Sequence, residues 1–170
     1  MKKTLIIAEA GVNHNGDINL AHKLIDEAFK AGADIIKFQS FKSSLLTTSK
    51  AKKADYQINK TSINESQQEM LSKLQLSEED HFELIKHCEE KEIEFLSTAF
   101  DQESIKLLSK LNLKRLKIPS GEITNLPYLR NLISLKKPLI ISTGMCDLKD
   151  IKSSLDEIYK SGIRKSVITL

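Results

Sequence analysis

The 170-residue sequence has no Trp, two Cys and only 5% aromatic residues. No apolar run approaches the roughly 18 residues of a membrane span. Each shortage removes a class of protein. Cys88 and Cys146, neither in a CxxC pair, exclude a disulfide framework. Scarce aromatics argue against a platform on which bases stack. The net charge is +3 and the lysines are spread along the chain, so no nucleic-acid surface is indicated. The amino terminus, Met1 to Ile7, begins like a signal peptide, but Glu9 stops the apolar run before an h-region is complete. A cytoplasmic location without membrane contact is expected. The glycosylation-type triplets at Asn59 and Asn64 are accordingly read as chance. What is present, 40% hydrophobic and 29% charged residues, fits one globular domain with a substantial core.

Apolar runs alternate with helical periodicity. Strands are expected at Thr4–Ala8, Asp34–Phe38, Ile93–Ser97, Arg115–Ile118 and Pro138–Ser142, with a sixth opening at Ser166–Leu170. Between them, Asp17 caps a helix whose apolar face holds Leu20, Leu24, Ile25, Ala28 and Phe29 and which ends at Gly32. Helices follow at Ser77–Lys91, Gln102–Leu111, Leu126–Ser134 and Leu148–Ser161. This rhythm implies βαβ units and a parallel sheet. One connection breaks it. The 36 residues 41–76 exceed the usual βα loop of roughly 2–6 residues. They include a polar, flexible stretch at Ser43–Ser49 and a short helix at Ser66–Leu74, and are expected to form a lid or substrate-contacting segment. The apolar end, Val167–Leu170, implies a truncated chain.

Each complete strand ends in a short signature: Glu9-Ala10-Gly11, Lys37-Phe38-Gln39-Ser40, Ser97-Thr98-Ala99-Phe100, Lys117-Ile118-Pro119-Ser120-Gly121-Glu122 and Ser142-Thr143-Gly144-Met145. The carboxyl ends of parallel strands form the rim where such folds keep their ligands. Two lysines, small hydroxyls and two carboxylates on that rim call for an anionic, polar ligand. A flavodoxin-like open sheet concentrates its ligand groups at one switch point, whereas here all five strand ends are polar. That favours a partial (β/α)8 TIM barrel, comprising five βα units and the start of strand six, over the flavodoxin-like alternative. Glu9, at the end of a buried strand, needs a partner such as Lys37 unless it is catalytic. His14 is either a base or the residue that holds its turn. His81 and His87 lie on different helix faces, which makes a metal pair improbable. His22 is expected in solvent, and Cys146 has no visible base to activate it.

The five signatures, in this order and spacing, resemble the sialic acid synthase family over all 170 residues. The Lys37–Phe41 and Pro119–Asn125 versions are most similar to bacterial members that make legionaminic or neuraminic acid. The resemblance implies condensation of phosphoenolpyruvate with the aldehyde of an N-acetylated hexosamine. Phosphate is released and a nine-carbon 2-keto acid forms. It implies that Lys37 and Lys117 contact the phosphate and carboxylate of phosphoenolpyruvate, with Thr98, Ser120 and Ser142 as hydroxyl donors; read from the residues, backbone amides at Gly121 and Gly144 add to an anion nest. Glu9 falls near the reacting aldehyde, and Gln39 and Glu122 face the amino sugar. Ala99 departs from the proline usual at its position, which bears on loop stiffness.

By the same resemblance, the family's manganese or magnesium ion is held by histidines of later strands and polarises the aldehyde. An antifreeze-like domain completes a homodimer. Neither the later strands nor that domain is in these residues, so the chain reads as the amino-terminal part of a synthase barrel, inactive and prone to self-association alone. Two alternatives stay open: a synthase of another 3-deoxy-2-keto acid, and a non-catalytic binding module, either a flavodoxin-like fold or a half-barrel.

Overall fold

A computed structural model describes residues 4–48, 51 and 66–163, and the backbone of 167–169. The middle of the 41–76 connection, with the Asn59 triplet and Asn64 and Glu65 of the other, and Ser166 and Leu170 of the sixth strand lie outside the described residues.

The strands are β1 (Ile7–Gly11), β2 (Ile35–Ser40), β3 (Glu94–Ala99), β4 (Leu116–Ile118), β5 (Leu139–Ile141) and β6 (Val167–Thr169). The helices are α1 (Ile18–Lys30), α2 (Ser43–Leu46), α3 (Gln67–Ser72), α4 (Glu78–Glu90), α5 (Gln102–Lys110), α6 (Leu126–Ile133) and α7 (Leu148–Lys160). Every pairing is parallel, in the orders β1-β2-β3 and β4-β5-β6, and β4 runs alongside β3. Neighbours are therefore consecutive. A flavodoxin-like sheet requires the crossover order 2-1-3-4-5, so that alternative is excluded. The architecture is a partial α/β barrel.

Side chains alternate across the strands and sort into two faces. On the outer face Ile36, Phe38, Phe95, Leu116, Ile118, Leu139 and Ile141 join Ile25 and Ala28 of α1, Leu84 of α4 and Leu129 and Leu132 of α6 in the main core. Phe38 and Phe95 stack there with ring centroids 5.5 Å apart, a contact worth about 0.5–1.5 kcal/mol beyond burial. The inner face holds a second, small cluster of Ile35, Leu96 and Ile140, with Ile7 against it. These four residues share that face with the polar layer described below.

Several expected boundaries move. β1 begins at Ile7 instead of Thr4 and continues through Glu9 to Gly11, because its ladder to β2 starts at Ile7↔Ile35 and slips only between Glu9 and Gly11. β2 and β3 likewise run two residues further than expected, to Ser40 and Ala99. The connection after β2 is not loop at its start: Ser43–Leu46 forms a helical turn. The short helix α3 is present, closed by a reciprocal Ser66–Glu69 capping box. Phe29, expected in the core, is 49% exposed, since α1 packs through Ala21, Ile25 and Ala28.

Gly16 makes one close approach possible. Its φ is +78°, and a Cβ there would stand 1.9 Å from the carbonyl oxygen of Lys73. The β1–α1 loop thereby rests on the end of α3 and fixes the near side of the long connection.

Candidate active site on the inner face of the barrel

Lys37 sits in the interior of β2, on the side that carries Ile35. Period two puts Gln39 on the same side, Glu9 above Ile7, Thr98 above Leu96 and Ser142 above Ile140. Lys117 is paired in register with Ile140 and shares its face. A polar layer thus shares this face with the apolar cluster, the two lysines in register with Leu96 and Ile140 and Thr98 and Ser142 one step beyond them.

Both lysines are buried, Lys37 at 6% and Lys117 at 5% exposure. Lys37 Nζ lies 2.7 Å from Glu9 Oε2 and donates to Thr98 Oγ1 at 3.4 Å. Lys117 Nζ donates to Ser142 Oγ and, at 3.3 Å, to the carbonyl oxygen of Ile118. Burial pushes the Lys117 ammonium down to about 8; the like charge of Lys37 adds to this and Glu9 opposes it. Two buried ammonium groups on one face that feel each other's charge, with a single carboxylate paired to Lys37, leave a surplus of positive charge that a polyanion would neutralise. Glu9 is not the buried carboxylate that the sequence suggested: its side chain is 61% exposed, so it opens toward the barrel mouth while pairing with Lys37.

The next turn of chain is built differently. Ser120–Glu122 forms a 3-10 turn directly after β4. Cys146 Sγ donates to the Ser120 carbonyl at 3.5 Å, and Ser154 Oγ of α7 donates to that of Ile123 at 2.6 Å. Asn125 caps α6 by accepting from Tyr128 N–H, and its Nδ2 donates to Glu122 Oε2 at 2.7 Å. The structure therefore brings Glu9, Lys37, Thr98, Lys117 and Ser142 together and Gln39 onto the same face. Ser120 and Glu122 stand on the adjoining turn.

Glu122 also borders a cleft of about 560 Å3 lined by Leu45 and Leu46 of α2, Phe100, Gln102 and Asn125, among others. Sequence reasoning missed the cleft, because Gln102 reads only as the first residue of a helix and Leu45 as loop.

The histidines are accounted for elsewhere. His14 is fully buried, and its Nδ1 accepts from Gly16 N–H at 3.0 Å, so it holds its turn. Its Nε2 has no partner. His22, expected in solvent, instead meets Glu83 of α4 at 2.7 Å and packs edge-on against His87. His81 is buried on the outer face between Ser40 Oγ, at 2.7 Å, and the Ser77 carbonyl, at 2.6 Å. Ser97 Oγ extends this network to Ser40. Burial holds both His14 and His81 below the usual imidazole range.

Among the described residues no group of three or more His, Cys, Asp and Glu side chains is placed to hold a metal ion. With Glu9 turned to Lys37 and His14 to its own loop, these residues do not compose the expected manganese or magnesium site. No helix among them is long and apolar enough to cross a membrane.

Fold and site together define an α/β barrel segment with a cationic inner face. Residues 24–170 match the NeuB family, and the chain belongs to it. It is 56% identical over its whole length to N,N'-diacetyllegionaminic acid synthase of Campylobacter jejuni, covering 51% of that protein. Over 90% of its length it is 54% identical to the Legionella pneumophila synthase of the same name, covering 43% of it. The chain spans about half the length of these curated relatives. Among solved structures, N-acetylneuraminic acid synthetase from Leptospira borgpetersenii superposes with a TM-score of 0.81 at 27% identity, over 99% of this chain and 53% of that one.

Proposed function

We propose that the inner polar layer is the phosphoenolpyruvate site of a sugar-acid synthase. In this reading residues 1–170 form the amino-terminal part of its barrel domain. The full-length enzyme is a cytoplasmic homodimer that makes a legionaminic- or sialic-type nine-carbon acid. The observation that carries the reading is the pair of buried lysines, Lys37 and Lys117, interacting across one face with hydroxyls beside each. The names and identities of the Campylobacter and Legionella relatives support it.

The ligand has two anionic ends, and the lysines are the two cations for them, with Thr98 and Ser142 as neutral donors and Ser120 reached from the neighbouring turn. Held there, C3 of phosphoenolpyruvate attacks the aldehyde carbon of an N-acetylated hexosamine and the new carbon–carbon bond forms. Water adds to C2, the bond from C2 to the phosphate oxygen breaks, and phosphate leaves to give the 2-keto acid. Glu9, ion-paired to Lys37 yet exposed, takes one proton of that water, and the aldehyde oxygen, which becomes a hydroxyl, receives it, while the other leaves with the phosphate. Gln39 and Glu122 face the sugar. The family's divalent ion has no ligand set among the described residues, and no step is assigned to it. The isolated chain, half the length of its relatives, binds phosphoenolpyruvate without turning it over.

Calorimetric titration with phosphoenolpyruvate at low and moderate salt tests this. Binding that weakens with salt and disappears in Lys117→Ala is expected. A folded wild-type chain that binds nothing, or a variant that binds as well as wild type, overturns it.

A further inference from the structure

We infer that His81, buried on the outer face of the sheet, is a positioning residue for the phosphoenolpyruvate site. Acting through Ser40 and Ser97, it sets the ends of β2 and β3, and with them the place where Thr98 presents its hydroxyl. The inference rests on the phosphoenolpyruvate reading above, which makes Thr98 a donor to the ligand.

Three polar side chains occupy the outer face where β2 and β3 end, beside the stacked rings of Phe38 and Phe95. His81, Ser40 and Ser97 are each at most 2% exposed, and the His81 ring stands edge-on to Phe95. A matched apolar set would be about as stable there, so stability gives no reason for the polar one. Direction does. The Ser77 carbonyl can only accept, so His81 Nδ1 carries the proton of that 2.6 Å bond. Burial keeps the ring neutral, which makes its Nε2 an acceptor. Ser40 Oγ therefore donates to Nε2 at 2.7 Å, and Ser97 Oγ donates to Ser40 Oγ at 2.7 Å. Each hydroxyl has one orientation, and the relay is anchored at the start of α4.

On the inner face, Lys37 Nζ reaches Thr98 Oγ1 from β2 at 3.4 Å, a long contact beside the 2.7 Å bonds outside. The relay, not this contact, holds the two strands in place here. Ser97 is joined in sequence to Thr98, and Ser40 to Gln39, which is in register with Thr98. One residue on, Phe100 N–H donates to the Ser40 carbonyl at 3.1 Å and the ladder ends. Pinning Ser40 and Ser97 thus fixes the last rungs, where Thr98 stands. A site group must be held to within about 0.5 Å to act, and Thr98 has this support behind it.

Phosphoenolpyruvate is titrated calorimetrically into wild type, His81→Leu, His81→Gln, Ser97→Ala and Thr98→Val. Thr98→Val is also combined with His81→Leu and with Ser97→Ala. His81→Leu and Ser97→Ala are each expected to weaken binding about tenfold, and Thr98→Val by at least as much, as for a lost hydrogen bond to a charged oxygen. In the Thr98→Val background the same two substitutions cost less than about threefold, because the hydroxyl they position is gone. His81→Gln, which keeps an acceptor for Ser40, stays within about threefold of wild type. A purely structural role lowers the denaturation midpoint without any dependence on Thr98. Ser97→Ala leaves α4 untouched and decides the matter if His81→Leu does not fold. Wild-type affinity in His81→Leu and Ser97→Ala, losses of equal size with and without the Thr98 hydroxyl, or a Thr98→Val variant that binds as wild type overturns the inference. A folded wild type that binds no phosphoenolpyruvate overturns the underlying reading, and this inference with it.

Discussion

Lys117 offers a quantitative handle, because its ammonium is held at about 8 by burial and by Lys37. At pH 8 about half of the free molecules therefore carry a neutral Lys117. A bound phosphate or carboxylate in contact with Nζ favours the charged form, and one opposite charge within hydrogen-bond reach raises such a group by about 1–3 units. If the bound value is about 10, phosphoenolpyruvate binding draws about 0.5 proton onto the protein at pH 8 and about 0.8 at pH 9. Uptake by this group is close to zero at pH 6.5, where Lys117 is already protonated. The ligand does not confuse the count at pH 8, since a phosphate with a second pKa of about 6 is then fully ionised. Calorimetry in buffers of different ionisation enthalpy reads the number of protons from the slope of apparent enthalpy. Lys117→Arg, which keeps the charge and does not titrate, should abolish the uptake. No uptake at pH 8 and 9 in wild type, or undiminished uptake in the arginine variant, would refute the argument.

Other outcomes follow from the same geometry. Gly16→Ala should cost more than about 2 kcal/mol in urea denaturation, because φ is +78° and the new Cβ would meet the Lys73 carbonyl. Gly144→Ala, with nothing within 4 Å of its Cβ position, should stay within about 0.5 kcal/mol. Tyr128→Phe removes the hydroxyl that donates to the Ala99 carbonyl at 2.8 Å and leaves a buried acceptor unpaired, a loss of about 1–3 kcal/mol on the same assay. His14 and His81 are buried in the neutral form, so their contribution is fully present above the ordinary value of 6.5 and is lost as pH falls below it. The denaturation midpoint should drop between pH 7.5 and pH 5, and less steeply in His81→Gln.

Much of this was legible because it is local. Alternating apolar runs and helix caps at Asp17 and Ser77 placed the units, and polar signatures on every strand pointed to a barrel over an open sheet. Lys37 and Lys117 stood out as charges in otherwise apolar strands. The errors came from terms that the sequence carries only weakly. The start of β1 depends on its ladder with β2, so Thr4–Ala8 was displaced by three residues. Phe29 has the right period but lies at the edge of the α1 stripe, where Ala21 and Ala28 allow the close approach. The exposure of Glu9 depends on how the barrel mouth opens, and the place of His22 depends on α4, some 61 residues further along the chain. The cleft beside Glu122 assembles residues from three separate stretches of chain, and nothing in any one of them announces it.

The decisive measurement is a crystal structure of the chain grown with phosphoenolpyruvate. Ligand oxygens within about 3 Å of both Lys37 Nζ and Lys117 Nζ, with Thr98 and Ser142 donating, is the expected result. Well-ordered lysines still bonded only to Glu9, Thr98 and Ser142, with the ligand bound elsewhere or absent at saturating concentration, would contradict the assignment of the inner face.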